Sequence, residues 1–309
     1  MILLCGIRSE TPLAMVASHL DDLGIRYVHF HQREFASMEL EFEIDAGASV
    51  DGVLRVGDER FQLSEFSGIY VRLMDDQALP EVRDEPPESP RRRYCRSLHA
   101  ALTAWLEVTP ARVVNRSGPM ASNGSKPYQA QLIRAHGFEV PETLITNDPA
   151  LVLEFRERHG RLVYKSMSGI RSIVQTLEDD DLDRLEQIRR CPTQFQQYID
   201  GVHVRVHTIG SEVFATSIVS DTTDYRYAHT NGDDAVLNAV ELADEWSARC
   251  RQLSAALGLD FAGIDLKLTD EGEVYCFEVN PCPAFSYYEH STGQPIAHAI
   301  ACYLADRDP

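Results

Sequence analysis

The chain has 309 residues, 44% of them hydrophobic, and a formal net charge of −19. That length and apolar content suffice for two or three folded units and exclude a disordered chain. The acidic balance argues against nonspecific binding to nucleic acid or to an anionic membrane. No apolar run approaches the roughly 18 residues of a membrane helix. Seven cysteines without a Cys-x-x-Cys pair point to a reduced, cytoplasmic chain.

In chain order, residues 2–7 predict a strand, 11–23 an amphipathic helix and 27–31 a second strand, the opening of an α/β unit. The turn Arg8-Ser9-Glu10 carries no G-x-G-x-x-G, so a dinucleotide fingerprint is absent. Residues 38–44 alternate Met38, Leu40, Phe42 and Ile44 with three glutamates. Residues 53–63 read as a hairpin about Gly57-Asp58, and 69–73 as a strand. The Pro- and acid-rich stretch 75–88 predicts a surface loop. Ser89 caps a helix over 90–107, with Arg91-Arg92-Arg93 on its solvated end.

A short strand follows at 113–115, and a helix opens at Asn123-Gly124-Ser125-Lys126 to end at Gly137. Helices are expected at 151–159 and 182–190, and strands at 162–165 and 173–177. Three strands in series, 194–199, 202–209 and 213–219, precede a polar loop over 220–234. A long helix over 241–257 ends at Gly258. Two acidic strands and a closing helix over 296–304 complete the chain. In the aromatic run 283–290, packing is the main expectation, with Tyr288, Glu289 and His290 as substrate-contact candidates.

The acidic strands carry the chemistry. Period two places Val274, Cys276, Glu278 and Asn280 on one face and Tyr275, Phe277 and Val279 on the other. Upstream, Asp265 and Lys267 share a face while Ile264 and Leu266 take the apolar one. Paired as neighbours, the two strands bring Asp265, Glu278 and Asn280 together. Two carboxylates and a carboxamide near a strand end closed by Pro281 suit Mg2+, which binds one or two carboxylates plus substrate phosphates.

Lys165 ends an apolar strand. The loop Ser166-Met167-Ser168-Gly169-Ile170-Arg171-Ser172 after it offers backbone amides and hydroxyls to phosphate. Arg205 shares a strand face with His203 and His207, and its planar fork suits a phosphate or carboxylate. Rings four apart on a strand are too separated for one zinc ion. Asp224-Tyr225-Arg226 sits in a loop suited to close over substrate. Arg72, Arg91, Arg92, Arg93 and Arg226 are local cations for an acidic peptide.

In this order the motifs resemble the ATP-grasp superfamily over about residues 115–305. They are Lys126 before Gly137-Phe138-Glu139-Val140-Pro141-Glu142-Thr143, Lys165 before a small-residue loop, and Gln196 to Gly201 as a linker. Val204-Arg205-Val206, Gly263-Ile264-Asp265 and Glu278-Val279-Asn280-Pro281 follow. The chain resembles in particular the ribosomal-protein glutamate ligases and the graspetide synthetases, which crosslink ribosomal peptides. Tyr70-Val71-Arg72 and Asp224-Tyr225-Arg226 are similar to the latter.

The resemblance implies an α/β fold of ATP-grasp architecture with an N-terminal α/β (pre-ATP-grasp) domain. The expected division is residues 1–112, 113–190 and 191–309. It implies ATP and Mg2+ as cofactors, with Lys126 and Lys165 on the nucleotide phosphates. Gln196, Gln197, Tyr198 and Ile199 would line the adenine hinge, and Asp200 would hold the ribose. Asp265, Glu278 and Asn280 would bind magnesium, Arg205 would steady an acyl phosphate, and Arg226 would face the substrate carboxylate.

The expected activity is ATP-dependent carboxylate–amine or carboxylate–hydroxyl ligation, on a peptide or amino-acid substrate, with a homo-oligomer open. A nucleotide-binding regulator without ligase activity, a ligase for a small amino acid or dipeptide, and a metal-dependent hydrolase are the alternatives.

Overall fold

Strand β1 (Ile2–Gly6) is buried at every position, as a strand inside a parallel sheet must be. In the computed structural model, which describes residues 1–166, 174–220 and 235–308, it lies between β2 (Tyr27–His31) and a later strand. The helix Thr11–Asp22 connects β1 to β2. It carries Pro12 in its first turn and buries Leu13, Val16, Ala17 and Leu20, one face at helical spacing. Strands β3 (Met38–Ile44), β4 (Val50–Val56) and β5 (Glu59–Gln62) form a separate antiparallel sheet that turns at Gly57, φ +61°. Then β6 (Gly68–Arg72) and β7 (Arg112–Val114) return to the first sheet, in the order β2-β1-β6-β7.

The stretch 75–88 is anchored rather than free. Leu79 and Val82 are wholly buried, and Arg92 donates to Gln77 Oε1 at 2.6 Å and to the Glu85 carbonyl at 2.7 Å. The middle arginine of the basic run therefore ties down this segment at the start of the helix Pro90–Val108, which Ser89 caps through the Arg92 amide at 3.1 Å.

The central sheet contains β8 (Thr143–Thr146), β9 (Leu162–Ser166), β10 (Gln175–Thr176) and β11 (Thr193–Gln197), in the order β10-β9-β11-β8. One face is covered by the helix Pro149–His159, whose Val152 and Phe155 pack with Leu162 and Phe195. By sheet membership β11 goes with this unit, although the expected division at residue 190 lies before it. The helix expected over 182–190 is split into Asp179–Leu182 and the 3-10 run Leu185–Arg190. The strand expected over 194–199 stops at Gln197, and Tyr198 to Gly201 leave the sheet as a link.

The last sheet has β12 (Val202–Ile209), β13 (Glu212–Val219), β14 (Val236–Val240), β15 (Phe261–Leu268) and β16 (Val274–Asn280) in the antiparallel order β14-β13-β12-β15-β16. β14 is an edge strand without a sequence expectation, because a five-residue run around Asn238 carries little alternation. One face packs Val204, Val206, Ile264 and Leu266 against the helices Lys126–Ala135 and Asp244–Ala256. The other face changes character along its length. Its Ile209 and Phe261 join a core with Phe285, Tyr288, the closing helix Ile296–Leu304 and the N-terminal residues Leu13 and Tyr70. Beyond that core the face turns polar. Among the described residues no helix is long and apolar enough to cross a membrane.

Candidate active site

A polar row crosses the last sheet where its covered half ends. Strand pairing sets Thr216 beside Arg205, Arg205 beside Asp265, and Asp265 beside Glu278. The expected alternation of β16 holds only as far as Cys276. The register shifts between Asp265 and Leu266, so Leu266 faces Cys276 and Asp265 faces Glu278, leaving Phe277 as an extra residue. Val274, Cys276 and Val279 therefore point into the apolar core, and Glu278 does not share their face. This bulge corrects the single polar face expected for β16 and turns Glu278 toward Asp265.

Charge is balanced within the row. Arg205 is buried, and its Nη1 donates to Asp265 Oδ1 at 2.6 Å. Lys126 Nζ donates to Glu278 Oε1, and to Asn123 Oδ1 at 2.7 Å. Asn280, opposite Gly263, lies in the adjacent row, and its Oδ1 accepts the Cys282 amide at 2.9 Å. The oxygen donors of Asp265, Glu278 and Asn280 suit a hard cation. Two carboxylates that already carry cationic partners fit an ion shared with substrate phosphates better than a closed protein cage.

A cleft lies between the central and last sheets. Lys165, Gln196, Gln197, Tyr198 and Ile199 line one side, and Asp265 and Glu278 the other. Lys126, Asp200, Arg205 and Asn280 are not among its lining residues. Lys126 and Arg205 reach it through the carboxylates of Glu278 and Asp265. Arg226, with Asp224 and Tyr225, lies outside the described residues, as do Gly169 and Arg171 of the loop after Lys165.

The link between the sheets is fastened on several sides. The Gln197 amide donates to the Glu142 carbonyl at 2.9 Å, and the Tyr198 amide to the Arg161 carbonyl at 3.0 Å. Gln196 Nε2 donates to Thr143 Oγ1 at 3.0 Å. Lys267 Nζ donates to the Ile199 carbonyl at 2.6 Å. Burial pulls the Lys267 ammonium below the ordinary lysine range, opposed by the charge of Asp200.

Lys267 also lines the cleft, and its signal in the sequence is the face it shares with Asp265. Gln129 had no such signal. It is buried on the helix Lys126–Ala135 and holds the backbone of Val279.

One other expectation changes. Arg72 is no surface cation for an acidic peptide: its side chain is 7% exposed and paired with Glu10. In the run 283–290, Phe285 and Tyr288 are buried, and Glu289 accepts the Ala297 amide at 2.7 Å at the head of the closing helix. His207 is wholly buried, with its ring 5.0 Å from that of Tyr288 and 6.2 Å from that of Phe261. Burial first, and then the Arg205 charge, hold it neutral.

A family profile described as a RimK-like ATP-grasp domain matches residues 124–304. Among curated proteins the chain is similar to beta-citrylglutamate synthase B of Homo sapiens, 28% identical over 221 residues, covering 66% of this chain and 55% of that protein. It is also similar to the probable alpha-L-glutamate ligase 2 of Shewanella frigidimarina, 25% identical over 216 residues, covering 66% of this chain and 72% of that one. The match to the human protein spans about half of that relative's length. Among solved structures it is similar to the ATP-grasp ligase PsnB complexed with a phosphomimetic variant of a minimal precursor, Mg and ADP. The identity is 25% and the TM-score 0.78, over 99% of this chain and 97% of that one.

Proposed function

Because the chain belongs to the RimK-like ATP-grasp family, we propose that it is an ATP-dependent carboxylate–amine ligase acting on a peptide through an acyl phosphate. The observation that carries this reading is the row Arg205–Asp265–Glu278–Lys126 at the side of the cleft. A carboxylate does not acylate an amine at neutral pH, because its oxygen leaves poorly. Transfer of the γ-phosphoryl group of ATP to that oxygen creates a good leaving group, and the amine then displaces phosphate. Such a reaction needs placed charge more than a nucleophile.

In this reading the link Gln196 to Ile199 receives the adenine, Asp200 the ribose, and Lys165 and Lys126 the phosphates. Asp265, Glu278 and Asn280 would hold magnesium, which when bound neutralises charge on the phosphate oxygens. Arg205 steadies the acyl phosphate, and Arg226 meets the substrate carboxylate. The whole-chain likeness to PsnB, complexed with a precursor, favours a peptide substrate. The likeness to beta-citrylglutamate synthase B favours a small acid joined to an amino acid as the second reading. Seven free cysteines fit a reduced, cytoplasmic setting.

The test is mass spectrometry after incubation with ATP, magnesium and a panel of carboxylate- and amine-bearing peptides. Loss of water marks an internal crosslink, and gain of a residue marks addition. ATP binding without ADP formation across a broad panel of acceptors would instead favour a regulator.

A further inference from the structure

Arg72 ends β6 in the N-terminal sheet, but its side chain is engaged outside that sheet. Nε and Nη2 donate to Glu10 Oε1 at 2.8 and 2.6 Å, and Nη1 donates to the Pro283 carbonyl at 3.1 Å. Pro283 lies three residues beyond Asn280. The guanidinium thus brackets the N-terminal unit to the turn that leaves the acidic strand.

What that turn touches gives the bracket its meaning. A Cβ built on Gly263 would stand 2.7 Å from Pro283 Cβ and 2.6 Å from Arg205 Cζ. Gly263 leaves a gap that the proline ring and the Arg205 guanidinium both border. Arg205 has Asp265 at its Nη1 and shares with the Pro283 ring the space over Gly263, so a shift of the ring changes the room open to the guanidinium. The same turn is held from other directions. Asn115 Nδ2 donates to the Pro281 carbonyl at 2.6 Å, and the Cys282 amide donates to Asn280 Oδ1 at 2.9 Å. Glu10, Arg72 and Pro283 do not line the nucleotide cleft.

We propose that Arg72 is a positioning residue for the reaction centre: through Pro283 it sets where the Arg205 guanidinium lies beside Asp265. The N-terminal unit is thereby part of the centre's geometry. The catalytic consequence rests on the ligase reading; the mechanical coupling does not.

The variants are Arg72→Met, Arg72→Lys and Pro283→Gly. The first readout is the Nε–H resonance of Arg205 in 15N-labelled protein, identified by its loss in Arg205→Lys. Arg72→Met moves this resonance and lowers kcat by about tenfold or more, since small misplacements of a reacting geometry are costly. ADP affinity measured by calorimetry stays within about twofold of wild type, because the bracket lies outside the cleft.

Arg72→Lys, which keeps a charge for Glu10 but cannot span both partners, recovers part of kcat. Pro283→Gly retains the carbonyl for Arg72, removes the ring, and moves the same resonance. If Arg72→Met does not fold, Pro283→Gly decides alone. An Arg205 resonance unmoved in the folded variants overturns the proposal, as does a loss of kcat matched by an equal loss of ADP affinity. If wild type turns over no ATP with any acceptor, the ligase reading fails while the resonance still decides the coupling.

Discussion

Gln129 meets Val279 through both ends of its carboxamide: Nε2 donates to the Val279 carbonyl at 2.8 Å, and Oε1 accepts the Val279 amide at 3.1 Å. A side chain thus acts as a neighbouring strand for one residue of β16, between Glu278 and Asn280. Gln129→Ala leaves a buried amide and carbonyl without that partner. Each unpaired buried group costs about 1–3 kcal/mol. The variant is expected to unfold at lower denaturant, and its magnesium requirement, read by titration at saturating ATP, is expected to rise.

Gly263 is required by space. Its φ lies outside the left-handed region, but an added Cβ would press on Arg205 Cζ and Pro283 Cβ. Gly263→Ala must displace one of them. A shift of the guanidinium by about 1 Å predicts a kcat loss of up to about a hundredfold. Steady-state kinetics check this, with calorimetry of ADP binding as the control for the cleft.

Asp265 and Lys267 are legible in the sequence because β15 keeps strict alternation, Ile264 and Leu266 entering the core between them. Glu278 is legible by chemistry but not by geometry. A bulge at Phe277 inverts the face, and alternation carries no mark of it. The parallel sheet and the closing helix follow from apolar runs. The anchoring of 75–88 does not, because Leu79 and Val82 are two isolated apolar residues in an acidic stretch. Gln129 is silent because a buried amide on a helix reads like any surface glutamine until its partner strand is placed.

Two neutral histidines predict acid sensitivity. Burial, then the Arg8 charge, lowers His29 to about 4, and burial holds His207 well below its usual value of 6.5. In the unfolded chain both take up protons near pH 6.5, which the folded protein resists. Their contribution to stability is therefore present above pH 6.5 and is lost as pH falls, with the His29 part fading down to about pH 4. His207→Phe places an apolar ring against Phe261 and Tyr288. It is expected to flatten the fall in denaturant midpoint between pH 6.5 and pH 5. An equally steep fall in that variant would remove His207 as a cause.

Tyr198 lies between two cations. Arg161 Cζ is 3.8 Å from its ring centroid and Lys267 Nζ is 4.8 Å away. Arg161 precedes β9 of the central sheet and Lys267 belongs to β15, so both sheets hold one ring of the link. Lys267 also holds the Ile199 carbonyl. Lys267→Met keeps the length of the side chain and removes both the donor and the charge. With the link less constrained, ADP binding measured by calorimetry is expected to weaken by about tenfold, near 1.4 kcal/mol. Lys267→Arg keeps donor and charge and is expected to bind more tightly than the methionine variant. If the link receives the adenine as proposed, kcat at saturating ATP is expected to change less than KM for ATP.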